Sequence, residues 1–120
     1  MSANTPRSRK AKGREFQKDI RKKLLELYPQ LEEDDIKCAV MSESGEDIKL
    51  SPAARKLIPY SIEAKRQEKL NIWSAIKQAE TNCGDGITPL VVFKRNHSES
   101  YVIVPGDHFF KLISKFTEKD

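Results

Sequence analysis

Pro89-Leu90-Val91-Val92-Phe93 has no polar side chain, and this run restricts the fold more than any other stretch of the chain. A strand that is apolar on both faces is central in its sheet and needs cover on both. The cover can be read on either side of it. Phe16, Ile20, Leu24, Leu27 and, if the helix continues past Pro29, Leu31 recur near every 3.6 residues, which predicts an amphipathic helix from Arg14 to about Tyr28. Leu25 lies off that stripe and hints at a second contact surface. Asn71 is placed to cap a helix running through about Asn82, with Ile72, Ala75, Ile76 and Ala79 on its apolar face and Cys83-Gly84-Asp85-Gly86 ending it. After Pro105-Gly106, the residues Phe109, Leu112, Ile113 and Phe116 mark a closing helix.

Shorter strands are expected at 36–41, 47–50, 60–65 and 101–104. Ser42 to Gly45 supplies turn chemistry, 51–56 an irregular or one-turn connection, and Asn96-His97-Ser98 the turn of a hairpin. The predicted class is α/β, a small mixed sheet flanked by helices in the order αβββαββα. A chain of 120 residues has room for one core and one catalytic site.

Lys plus Arg number 22 and Asp plus Glu 18, but Arg7, Arg9, Lys10, Lys12 and Arg14 stand together with no acid before Glu15. Removing those five leaves 17 against 18. The sequence therefore divides into a basic flexible arm at 1–13 and a single domain at 14–120. The arm reads either as a strand-tracking tail for a polyphosphate backbone or as a solubilising extension. No window has the roughly 18 apolar residues of a membrane span, and no apolar segment follows the basic N-terminus, so a cytoplasmic protein is expected. Cys38 and Cys83 stand far apart and near neither His97 nor His108, which excludes a four-ligand zinc site and favours reduced, packed thiols.

The residues that carry chemistry are Asp47 and the segment Ser61-Ile62-Glu63-Ala64-Lys65. Alternation along a strand puts Glu63 and Lys65 on one face and Ala64 on the other. The spacing from Asp47 to Glu63 accommodates a strand, a turn and a return, so the two carboxylates can converge where neighbouring strands meet. Carboxylates so placed repel unless a cation lies between them, and Mg²⁺ suits an all-oxygen set that includes a backbone carbonyl and a phosphate oxygen. That combination fits phosphodiester hydrolysis, with metal-bound water as nucleophile and Lys65 orienting or deprotonating it.

At these positions the chain resembles the PD-(D/E)xK nuclease superfamily, which has an acid on one strand and Glu-x-Lys on the next. The resemblance covers about residues 12–104 and extends to an acid on the first helix, matched by Glu15, and to a glutamine on the helix after Glu-x-Lys, matched by Gln78. The proline usual before the strand acid is Glu46 here. The compact layout is similar to archaeal-type Holliday junction resolvases and small phage-encoded nucleases. The resemblance implies a restriction-endonuclease-like core and a Mg²⁺-dependent DNA endonuclease, with Mn²⁺ able to substitute, acting on structured DNA. Asp47, Glu63, the Ala64 carbonyl and Glu15 would serve the metal, and Lys65 and Gln78 would serve catalysis. Asp19, one turn after Glu15, competes with it as the helix acid. DNA phosphates would be met by Arg7, Arg9, Lys10, Lys12, Arg14, Arg66, Lys94 and Arg95, although Arg66 and Lys69 also read as a solvated charge run at a strand end. A junction-cutting enzyme would act as a homodimer. The alternatives are a sequence-specific, nicking or exonucleolytic enzyme of the same fold, or a DNA-binding module without catalysis.

Overall fold

A computed structural model describes residues 5–40 and 43–118. The first helix, α1, spans Pro6–Leu27. Thr5 caps it, its hydroxyl accepting from Ser8 N at 3.1 Å, and Pro6 occupies its first turn. The basic stretch is therefore helical from Pro6 onward and not an arm without structure; residues 1–4 lie outside the described part. Ile36–Cys38 (β1) follows a 3-10 turn at Glu33–Asp35. Next come Ile48–Leu50 (β2), a short helix Pro52–Leu57 (α2) that makes the connection after it, and Tyr60–Arg66 (β3). Ile72–Thr81 (α3), Thr88–Lys94 (β4), Tyr101–Ile103 (β5) and Gly106–Glu118 (α4) complete the chain. Met41, the expected last residue of the first strand, and Ser42 of the expected turn lie outside the described residues.

β1 and β2 form an antiparallel pair, and β3, β4 and β5 form a second sheet in which β3 and β4 are parallel and β4 and β5 antiparallel. The parallel pair needs the crossover that α3 provides. Asp47 joins the two sheets through its backbone, accepting from Ala39 N at 2.8 Å and donating to the Ile62 carbonyl at 3.0 Å. The molecule is mixed α/β, with small sheets flanked by helices.

Alternation sorts the two faces of β3. Tyr60, Ile62 and Ala64 pack toward the cluster of Phe16, Ile20, Ile36, Ile48, Ala54 and Ile58, which α1 closes. Ser61 and Glu63 are turned away from that cluster, toward α3, where Ala75 and Ala79 pack on Val91. Ile36 and Ile48 are fully buried, so truncating either to Ala costs about 2–5 kcal/mol. At the end of α1 the buried side rotates. Leu25 packs into the main core and Tyr28 Oη donates to the Leu57 carbonyl, because α2 covers that side, while Leu27 is exposed. Both cysteines are free and half-buried, and burial pushes both thiols up. No helix among the described residues is long and apolar enough to cross a membrane.

α4 is strongly amphipathic, yet Phe109, Phe110, Ile113 and Phe116 are exposed, as are Trp73 on α3 and Val102 on the outer strand β5. One side-chain anchor of α4 is His108, whose Nε2 lies 2.6 Å from Tyr60 Oη.

Candidate active site

Asp47 and Glu63 meet beside β3. Asp47 precedes β2 after the tight loop at Gly45, whose φ of 93° favours a residue without Cβ. Its Oδ2 accepts from Ala64 N at 2.8 Å. A strand residue directs its N–H and C=O to the same edge, so the Ala64 carbonyl also faces the edge where Asp47 stands. Glu63 is fully buried; its Oε1 accepts from Asn82 Nδ2 at 2.8 Å. Its Oε2 is the one buried side-chain polar atom without a hydrogen-bond partner among the described residues. Burial pushes the Glu63 pKa up to about 7. The Asn82 hydrogen bond opposes that rise, and the Asp47 carboxylate adds to it.

Lys65 sits two residues along the same face as Glu63, and its Nζ donates to Gln78 Oε1 at 2.6 Å. Among the described residues no ion pair involves Asp47, Glu63 or Lys65. Glu46, by contrast, is bound to the Arg55 guanidinium, which also donates to the Tyr60 carbonyl. Glu46 is thus committed to anchoring the loop before Asp47 against α2 and the start of β3.

Asp47, Ala64 and Lys65 open onto a cleft of about 740 Å³ bounded by the end of β3 and by one side of α1. Arg9, Lys10, Lys12, Lys65, Arg66 and Lys69 line it, against the carboxylates of Asp47 and Glu68, so it carries a positive field. Its far wall is fastened by Asn96 Oδ1, which accepts from Lys12 Nζ at 3.1 Å and from Arg66 Nη2 at 2.8 Å; Glu68 accepts from Asn96 N at 2.7 Å. Lys69 lines the cleft and is exposed, as expected of a charge at a strand end.

Other expected residues lie elsewhere. Glu15 is exposed and outside the cleft lining. The α1 residues that face the cleft are Pro6, Gly13 and Gln17 with their basic neighbours. Two helical positions turn through about 200°, so Glu15 points away from the side that Gln17 occupies. Asp19 lines a separate depression with Lys94 and Glu99. The helix acid expected from the resemblance is thus not brought to Asp47 and Glu63; the polar α1 side chain at that side is Gln17. Arg7 and Arg95 are exposed, whereas Arg14 lines a neighbouring groove with Lys18 and Glu43 that Asp47, Lys10 and Gln17 also line, so it stays on the Asp47 side of α1. His97 is exposed in the β4–β5 turn, with a φ of 61°.

Among the described residues no group of three or more His, Cys, Asp or Glu side chains is disposed to hold a metal ion. Asp47 and Glu63 supply two carboxylates, and Mg²⁺ is commonly held by one or two carboxylates with water and phosphate oxygens completing the shell. The unpartnered Oε2 of a fully buried glutamate beside a second carboxylate is the feature that fits such an ion, since either a proton or a cation has to offset that charge. No family model, no curated protein and no solved structure matches this chain.

Proposed function

We propose that the chain is a Mg²⁺-dependent deoxyribonuclease of the PD-(D/E)xK kind, hydrolysing phosphodiester bonds in structured DNA such as a four-way junction. The observation that carries this reading is the Glu63 carboxylate, wholly buried with Oε2 unpartnered, next to Asp47, which lines a basic cleft. Asp47, Glu63 and the Ala64 carbonyl would hold the ion, and Mn²⁺ would serve in its place. When bound, the ion lowers the pKa of a water and stabilises charge on the reacting phosphate.

The remaining work falls to side chains. Lys65 uses one of its three ammonium donors on Gln78, which leaves two to hold a water or a phosphate oxygen on the Glu63 face. Gln78 keeps the long lysine chain in that position. The Ala64 N–H holds Asp47 by one oxygen and so limits its rotation. Arg9, Lys10, Lys12, Arg66 and Lys69 receive the DNA backbone along the cleft, an interaction that depends on charge and not on sequence. Paired cuts in a junction call for two copies related by a two-fold axis.

Incubation with supercoiled plasmid, linear duplex and a four-way junction, each with Mg²⁺ or with EDTA, tests this. The proposal expects cleavage only with Mg²⁺ and fastest on the junction. Cleavage of plasmid and duplex alone would keep the chemistry and change the substrate. DNA binding without cleavage in any arm would favour a module that has lost the reaction.

A further inference from the structure

Glu63 and Lys65 on β3 are each held by an amide side chain from α3, and the spacings of strand and helix match. Gln78 and Asn82 are four residues apart at the end of α3, a rise of about 6 Å. Lys65 and Glu63 are two apart on β3, a rise of about 6.6 Å. α3 runs back along β3, so Gln78 meets Lys65 and Asn82 meets Glu63. Asn82 goes one step further than Gln78. Its Nδ2 donates both to Glu63 Oε1 at 2.8 Å and to the Gly45 carbonyl at 3.2 Å. Gly45 stands two residues before Asp47. One amide therefore ties a carboxylate on β3 to the loop that delivers the carboxylate before β2.

We infer that Asn82 is a positioning residue that sets Glu63 and the Gly45–Asp47 loop relative to each other, so that the two carboxylates share one cation. The inference rests on the metal-dependent reading proposed above and adds a residue to it.

Helix termination does not explain the asparagine. Asn82 is the C-cap of α3, but its φ of −87° and ψ of −1° lie in the right-handed region, which any residue adopts, so the left-handed tolerance of asparagine is not in use there. The backbone N–H closes the helix onto Gln78 and Glu80, and the backbone carbonyl accepts from Ser61 Oγ at 3.4 Å; neither needs this side chain. The side chain instead directs its two N–H donors to two acceptors, which an aspartate cannot do. With Oε1 occupied, Glu63 is held in one rotamer and Oε2 remains for a cation.

The test uses the full chain. Mn²⁺ affinity is measured by calorimetry for the wild type, Asn82→Ala, Asn82→Ser, Gln78→Ala and Glu63→Gln, at a temperature where thermal melts show each to be folded. DNA affinity is measured alongside in EDTA. Asn82→Ala should weaken Mn²⁺ binding by about 10- to 100-fold, the range for groups that orient metal ligands. Asn82→Ser, which keeps one shorter donor, should fall between. Gln78→Ala should retain Mn²⁺ affinity while slowing cleavage at saturating metal, and DNA affinity should hold throughout. Unchanged Mn²⁺ affinity in both Asn82 variants, with affinity lost in Glu63→Gln, would overturn the role of Asn82 and leave the metal site standing. Unchanged affinity in Glu63→Gln as well would remove the metal reading, and this inference with it.

Discussion

Lys65 Nζ and Gln78 Oε1 are joined across 2.6 Å, a bond from the end of β3 to the last turn of α3 that holds an ammonium on the same strand face as the buried Glu63. A lysine side chain loses considerable rotamer entropy when fixed, and a single neutral acceptor is a modest return for that. On the proposed reading, the bond keeps the ammonium on the Glu63 face, where the proposed ion and phosphate would lie.

Lys65→Ala is accordingly expected to slow single-turnover cleavage by roughly 100-fold or more, the scale of a positioned acid-base group, with little change in DNA affinity. Gln78→Ala should slow it less, because the lysine remains but is no longer held. Rapid-quench measurement at saturating DNA and metal reads both. A Lys65→Ala protein that loses binding but cleaves normally once saturated would place Lys65 among the residues that hold phosphate.

The raised pKa of Glu63 has two consequences with opposite signs. Folding favours its protonated form, so the stabilising contribution is fully present below about 4.5, the ordinary value, and is lost as pH rises through about 7. The difference is up to about 3 kcal/mol. Urea unfolding in EDTA at pH 5 and pH 8 should show the wild type gaining stability at the lower pH relative to Glu63→Gln. Metal affinity runs the other way, because the ion competes with the proton, and should rise as pH passes 7 in the wild type. Equal pH dependence in the wild type and Glu63→Gln would contradict the burial argument.

The basic residues of α1 should divide by position. Substituting Arg9 and Lys10, which line the cleft, with glutamine should flatten the plot of log DNA affinity against log salt by about 0.9 for each phosphate no longer neutralised. Lys94→Gln should leave that slope unchanged, since Lys94 lies in a separate depression with Asp19 and Glu99. Thermal transitions should move little in all of these variants. A slope that falls only for Lys94→Gln would put DNA on the other side of α1.

Much of this arrangement is legible from periodicity. The strand alternation that pairs Glu63 with Lys65, the apolar run of β4 and the Asn71 cap depend on local spacing, and the structure has them where the spacing puts them; of the expected α3 face, Ala75 and Ala79 are buried but Ile72 is exposed. Three features are less accessible. Thr5-Pro6 is a helix start, but the density of charge after it reads as a tail because no apolar stripe begins before Phe16. Phe16 and Ile20 orient α1 toward the core but leave two polar flanks, one with Glu15 and Asp19 and one with Gly13 and Gln17. Which flank faces Asp47 is decided by how the helix crosses the sheet, a tertiary fact. Asn82 reads as the end of a helix; its role emerges only when the Gly45 loop is brought against it.

The measurement that bears most directly on the account is calorimetric titration of Mg²⁺ or Mn²⁺ into the wild type, Asp47→Asn and Glu63→Gln, with plasmid and junction cleavage assayed on the same preparations. The account predicts that the wild type binds the ion and cleaves DNA in its presence, that either substitution removes most of both, and that all three proteins remain folded and bind DNA in EDTA. If both variants bind the ion and cleave as the wild type does, the buried carboxylate beside Asp47 is not the metal site and the reading built on it is wrong.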